Sequence, residues 1–416
     1  MAFPIGKPVT LPQELEPIRE AARKAILPLK AVDSNTQADS KFLFNAKETD
    51  AGKRLPPHYL VYFLLVDLLG FPNLGRFEKI AWSVPVDYSG IAYLVEHRKF
   101  GLGIFAREGE EHESDSKRIV GLIRSGVAAA RPFFKWMAEN AVQASKFNIR
   151  NNSIRLYKRY VFFRESFKRV AVEAAQLRLD REECSKQREF LFGQAYSTRL
   201  PEGTSWLEYA KIFTFQDFQR AEDASWLALA AVEAFFGWTE HIFIHLAILQ
   251  GRVSTGAEVA EMADSNWGDK FKRAFDLTDK ETNKHFEKLL TIRRQVRNFM
   301  AHGAFGKEGE AFSFHSTAGA VPVAFDHKSP KTQFSLTPEL AFEDHEAIAT
   351  IESFISFMWS GSRAPAKIYI QESELPLILP HASDGKHLAA MTSIEAMIEY
   401  VDHLSHEWDR SANMDW

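Results

Sequence analysis

Cysteine is almost missing from this chain: Cys184 is the only one in 416 residues. A single thiol excludes an intrachain disulfide and any cysteine-based zinc site within one chain. It fits a reducing compartment, so a cytoplasmic protein is expected. The opening Met1-Ala2-Phe3-Pro4 lacks the charged-then-apolar order of a secretory signal. Long apolar runs are missing too. The longest, Leu60 to Leu69, is broken by Asp67 and too short for a bilayer, so no membrane partner is expected. Positive charge is not in excess. With a net charge of −4, any nucleic-acid surface has to be a local patch. There are no internal repeats and no low-complexity linker. What remains, 45% hydrophobic and 25% charged residues, is the composition of a globular protein, and the length allows two or three domains.

The first part reads as α+β. A short helix is expected over Glu14 to Ile26 and a buried helix over Tyr59 to Gly70. Lys79 to Tyr88 and Ile91 to Glu96 read as strands around a Ser89-Gly90 turn, with Leu102 to Phe105 as a third. Pro85 marks an edge or bulge, because it has no N–H for a ladder. Ser114 to Val142 reads as one long helix. Gly101-Leu102-Gly103-Ile104-Phe105-Ala106 matches a nucleotide-binding fingerprint by letter. That fingerprint must open a helix, whereas Ile104-Phe105 reads as strand and Glu108 to Glu111 would repel a phosphate, so a glycine-bearing strand is expected.

From Lys146 to Arg169 basic and aromatic residues interleave, with Glu165 the only acid. Cations that track phosphates beside rings that stack on bases suit single-stranded RNA. Arg155, Lys158, Arg159, Tyr157 and Tyr160 are the candidate RNA contacts. The same pattern also suits a solvated basic face over a buried aromatic one. Val170 to Phe190 continues as a charged helix.

Ala221 to Leu249 reads as a long apolar helix. Glu233 and Glu240 are two turns apart on one side of it. A carboxylate on a buried face needs a cation, for which Arg297 is the candidate; a solvent strip is the alternative for Glu233. His241 and His245 have the spacing of two zinc ligands, but no third ligand accompanies them, so packed histidines are expected and no metal or other cofactor.

The decisive stretch runs from Thr278 to Gly303. Thr278 and Glu281 have capping-box spacing. Phe286, Leu289, Leu290, Val296 and Met300 give an apolar face, and Gly303 can end the helix. Its last turns carry Arg297, Asn298 and His302. Asn298 and His302 share a face, while Arg297 and His302 diverge by roughly 140°. His302 can move a proton near neutral pH and Arg297 can fork onto a phosphate. Together they can cleave RNA without a metal. Cations at a helix C-terminus also simply suit the dipole.

Arg297-Asn298-Phe299-Met300-Ala301-His302 resembles the Arg-x(4–6)-His motif of the HEPN superfamily, with its frequent polar residue after the Arg. Ser225 to Phe236 resembles that family's first long helix, which often carries a Glu in the manner of Glu233. The resemblance spans roughly Glu222 to Ser360. It implies a helical bundle and a metal-independent ribonuclease that pairs two motifs across a homodimer, in a toxin or antiviral-defence setting with a possible antitoxin partner. The catalytic set it implies is Arg297, His302, Asn298 and Glu233. The rival is a non-catalytic RNA- or nucleotide-binding scaffold of the same type.

The expected fold is therefore mainly α, with an α+β N-terminal domain and a HEPN-like bundle carrying a small β-hairpin. The expected segments are residues 1–145, a basic and charged helical connector at 146–220, the bundle at 221–360, and a strand–helix extension at 361–416. The hairpin is expected at Ala311 to Phe314 and Val321 to Phe325. A helix capped by Thr337 should run to Trp359, followed by a strand at Lys367 to Ile370 and a terminal helix from Ser393 to Trp408.

Overall fold

A computed structural model describes residues 11–37, 46–107, 109–194, 216–302, 310–325, 334–336 and 343–414, and for 297–302 it describes the helical backbone. The protein is mostly helical, with an N-terminal five-stranded antiparallel sheet and a helical C-terminal region that includes a small hairpin. It divides into two compact units, Met1–Lys146 with Asp402–Trp416, and Phe147–Val401.

In the first unit the strands are β1 (Lys30–Ala31), β2 (Lys47–Glu48), β3 (Ile80–Tyr88), β4 (Ile91–Arg98) and β5 (Gly101–Ala106), in the order β1-β3-β4-β5-β2. Ser89 and Gly90 both have positive φ (54° and 85°), as a tight two-residue hairpin turn requires. Side chains alternate across the pleat. Trp82, Val84, Val86, Tyr93, Val95 and Ile104 enter the main core, while Ala92, Leu94 and Phe105 form a smaller cluster. Pro85 faces Leu94 on β4; on the other side β1 stops at Val86, so the missing N–H breaks no ladder. Gly101 and Gly103 lie inside the β4–β5 ladder, so the fingerprint is strand.

Its helices include α1 (Glu16–Ile26), α2 (His58–Tyr62, continuing as a wider turn to Leu68), α3 (Glu110–Ala129) and α4 (Arg131–Gln143). The single helix expected over 114–142 is thus two. Pro132 cannot donate to the preceding turn and instead occupies the first turn of a new helix. The main core contains Ile26 of α1, Leu64, and Ile119 and Ile123 of α3. Gly126 permits the close approach: a Cβ there would lie 2.5 Å from Ile26 Cγ2 and 2.9 Å from Leu64 Cδ2.

The second unit is built on two long helices, α5 (Ser153–Gln194) and α6 (Gln216–Leu249). Tyr157 packs on Trp238, Tyr160 on Phe235, and Arg181 pairs with Asp217, so they run antiparallel. By length and apolarity α6 meets the requirement for a bilayer-crossing helix, yet much of its apolar surface is buried within this unit, including Phe235, Trp238, Ile242 and Phe243. The connector expected at 146–220 therefore includes a helix packed along α6. Then follow α7 (Gly256–Asp264), opened by a Thr255–Glu258 capping box, α8 (Trp267–Ala274), α9 (Lys280–His302) and α10 (Asp344–Met358). Phe243, Trp267, Phe271, Phe275, Phe286 and Phe354 interlock as an aromatic core.

Between α9 and α10 lie β7 (Glu310–Ser316), β8 (Gly319–Phe325) and β9 (Phe334–Ser335), the first two forming the expected hairpin. The Gly303 helix stop and the Thr337–Pro338 helix start lie outside the described residues. The strand expected at Lys367 to Ile370 is helical: Pro365 opens a turn there, and Tyr369 and Ile370 are fully buried. The extended pair nearby is β6 (Asn148–Ile149) with β10 (Leu377–Ile378). The terminal helix is α11 (Ile394–Asn413), with the Ser393 hydroxyl accepting the Ala396 N–H.

Candidate functional site

The motif helix α9 starts one residue later than its sequence spacing implies. Asp279, not Thr278, caps it, accepting the Thr282 N–H (2.8 Å) and hydroxyl (2.7 Å) on Oδ2. Thr278 donates its own N–H and hydroxyl to Asp276. Phe286, Leu289, Ile292 and Val296 form the buried stripe, and the helix continues unbroken through Arg297 and Asn298 to His302. The side chains of Arg297, Asn298, Met300 and His302 lie outside the described residues.

One of the two α6 carboxylates, Glu240, is met by cations from two other helices. Arg293 donates from Nη2 to Glu240 Oε1 at 3.1 Å, and Lys270 of α8 donates to Glu240 Oε2 at 3.3 Å. The Arg293 guanidinium also lies over Phe236 and Trp267, at 5.4 and 5.6 Å from the ring centres. Glu240 is therefore the apex of a three-charge cluster joining α6, α8 and α9. Glu233 is exposed and occupies the solvent strip; it shares a side of α6 with Glu240 but lies about 10 Å further along the axis, beyond the reach of the Arg293 and Lys270 cluster.

This cluster fixes the register of α9 on α6. Asp279 and Thr282 line one cavity with Gln250, at the C-terminal end of α6, and Arg293 meets Glu240 nearer its middle. The helices run antiparallel, and four further residues bring the level of Arg297 to Phe236, about one turn short of Glu233. On α5 the opposing register, with Tyr160 on Phe235, sets Phe162 at the level of Glu233.

The basic segment divides by face. Arg155, Lys158 and Arg159 are exposed. Arg159 reaches across to α6, its Nη2 lying 3.1 Å from where a Cβ of Gly237 would be. Arg164 and Lys168 are committed elsewhere, both pairing with Glu352 of α10. Tyr160 is the correction: it is fully buried, with Arg164 beside its ring, and burial pushes its phenol well above the ordinary tyrosine range. A ring packed into the core cannot stack on a base. Tyr157 is half-buried against Trp238, 4.7 Å between ring centres. The rings exposed on these two helices include Phe162 (64%) and Trp226 (57%).

His241 and His245 are packing groups. The Asn152 N–H donates to His241 Nε2 at 3.0 Å, and His245 Nδ1 bonds the His241 carbonyl at 3.0 Å. Burial lowers their pKa values to about 4 and about 3, with the His241 charge adding to the effect on His245, so both are neutral at pH 7. Among the described residues no group of three or more metal-ligating side chains is assembled.

Comparison with family models, with curated proteins and with solved structures finds no match for this chain.

Proposed function

We propose that the chain is a metal-independent endoribonuclease of the HEPN type, acting as a homodimer in a toxin or antiviral-defence role. The observation that carries this reading is one of level. Helical register sets the Arg297 turn of α9, exposed Glu233 on α6, and the exposed Arg155, Lys158, Arg159 and Phe162 of α5 along the same part of one bundle. The cationic strip tracks an RNA backbone, and Phe162 offers a ring to a base.

In the proposed chemistry His302 takes the proton of a ribose 2′-hydroxyl. The freed oxygen attacks the adjacent phosphorus, and the bond to the 5′-oxygen breaks. His302 of the second copy returns a proton to that leaving oxygen, giving a 2′,3′-cyclic phosphate and a 5′-hydroxyl. Arg297 holds the developing phosphorane charge and Asn298 a phosphate oxygen, while Glu233 orients the cationic side of the site. A dimer supplies both histidines, since Arg297 and His302 diverge on one helix.

The test is RNA cleavage in chelator with end mapping. Folded His302→Ala and Arg297→Ala should each lose about 100- to 10,000-fold in rate, and Arg297→Lys should not restore it, because an ammonium lacks the planar fork. A His302→Ala protein as fast as its parent refutes the enzyme. A parent that binds RNA without cutting it favours the scaffold.

A further inference from the structure

The cavity lined by Gln250, Asp279 and Thr282 lies at the far end of the motif helix, about 27 Å along α9 from the Arg297 turn. It is an open cleft within the second unit, has a volume of about 470 Å³, and is bordered by the C-terminal end of α6, the turn before α9, and the segments around 362–363 and 388–392. That volume is ordinary for a small-molecule site.

Its lining divides by chemistry. Arg252 and Arg363 supply the positive side. Arg363 is held firmly: Nε donates to the Met358 carbonyl (3.2 Å), Nη2 to the Phe357 carbonyl (2.8 Å), and the guanidinium lies over the Phe357 and Phe275 rings at 4.5 and 5.5 Å. Its Nη1 has no hydrogen-bond partner among the described residues. Burial draws the Arg363 pKa below its ordinary value; Asp279 and Glu281 oppose this and Arg252 adds to it. A half-buried guanidinium beside a second one is a place where an anion relieves repulsion.

Asp276 and Asp279 supply acceptors. Asp276 uses Oδ1 for Thr278 and keeps its second oxygen for a ligand donor, while Asp279 uses Oδ2 for Thr282 and also accepts from the Glu281 backbone, leaving lone-pair capacity at the cavity. Gln250 lines the cavity as well, and its Oε1 is buried with no hydrogen-bond partner among the described residues. An unsatisfied buried acceptor costs free energy that a ligand N–H would recover. Leu388 and Met391 give an apolar wall, with Phe275 buried behind it.

We infer that this cavity binds a nucleoside monophosphate. The phosphate meets Arg252 and Arg363, ribose hydroxyls donate to Asp276 and Asp279, and the base lies against Leu388 and Met391 with an N–H toward Gln250. A plain aromatic carboxylate would use the cations and the wall and leave the carboxylates without donors. Inorganic phosphate would use the cations alone and meet the two Asp charges unscreened. The inference stands apart from the nuclease reading, since it involves neither His302 nor the cationic strip of α5.

The experiment is calorimetric titration of the full chain, in the His302→Ala background, with the four ribonucleoside monophosphates, their 2′-deoxy forms, the nucleosides and inorganic phosphate. At least one ribonucleotide should bind with Kd below about 1 mM and raise Tm with concentration. Its deoxy form, its nucleoside and phosphate should each bind more weakly. Ser362→Glu and Arg252→Glu change exposed residues at the cavity and should weaken binding at least about 10-fold. Gln250→Met should weaken binding without lowering the Tm of the free protein. The inference is overturned if no ribonucleotide binds, if phosphate binds as tightly as every nucleotide, or if both charge variants bind normally. Folding of each variant is read from its own melt, so a variant that fails to fold is replaced by the other.

Discussion

Removing the Glu240 carboxylate should loosen the motif helix, and the size of the effect follows from who is left behind. In Glu240→Ala the Lys270 ammonium, whose side chain is 7% exposed, loses the only anionic partner within ion-pair distance among the described residues. Arg293, 34% exposed, loses its partner while its Nη1 is already buried without one. Stranding a buried charge costs about 3–5 kcal/mol. Glu240 itself is 34% exposed, so solvent screens part of its interaction and about 2–3 kcal/mol is the reasonable expectation. For a unit of this size that corresponds to a Tm lower by about 5–10 °C. The double variant Glu240→Met/Lys270→Met removes both members of the buried pair and should recover to within about 1 kcal/mol of the parent. Denaturant unfolding of the parent, Glu240→Met, Lys270→Met and the double variant gives the coupling directly, expected at about 1–2 kcal/mol. If Glu240→Ala unfolds within about 0.5 kcal/mol of the parent and the cycle is additive, the cluster does not anchor α9. The register argument for Arg297 then loses its support.

Three further outcomes follow from the same geometry. His241, His245 and His387 are held at about 4, 3 and 4 by burial. Their folded pKa values lie below the unfolded value near 6.5, so stability is complete above pH 6.5 and falls as pH drops toward 4, by about 1.4 kcal/mol per unit for each; denaturant midpoints that stay level from pH 7 to pH 5 would contradict this. Reversing charge at Arg155, Lys158 and Arg159 should weaken RNA binding and flatten its salt dependence, and an unchanged salt series would make the strip purely structural. Gly126→Ala should cost about 1–3 kcal/mol, because the new methyl overlaps Ile26 and Leu64, and a neutral melt would mean that α1 and α3 separate freely.

Much of the fold was legible because it rests on local periods. The alternation through β3, β4 and β5, the Ser89-Gly90 turn and the apolar stripes of α6 and α9 are written within single segments. Errors arose where two local signals competed. Thr278 and Asp279 are both good caps, and only the turn that ties Thr278 to Asp276 decides between them. Pro132 is compatible with a kinked helix or a fresh start. Ile368, Tyr369 and Ile370 favour a strand by propensity, but burial overrides it.

The site divides in the same way, and the division bears on what the chain does. The Glu240 cluster joins residues 30 and 53 positions apart, and no local pattern foretells that Arg293 and Lys270 meet there. The face of α5, by contrast, was readable. Ser153, Tyr160, Phe167 and Ala174 recur every seven residues and all are buried. That is the seam of a long antiparallel helix pair. It assigns Tyr160 to the interior and leaves Phe162 outside beside Arg155, Lys158 and Arg159. In the proposed RNA interface this helix supplies the cations, with Phe162 as the stacking ring. Phe162→Ala should weaken single-stranded RNA binding by about 1–3 kcal/mol, whereas duplex RNA, whose bases are already stacked, should barely respond. Equal losses for the two forms, measured by titration at one salt concentration, would show that the ring supports the helix pair and does not contact a base.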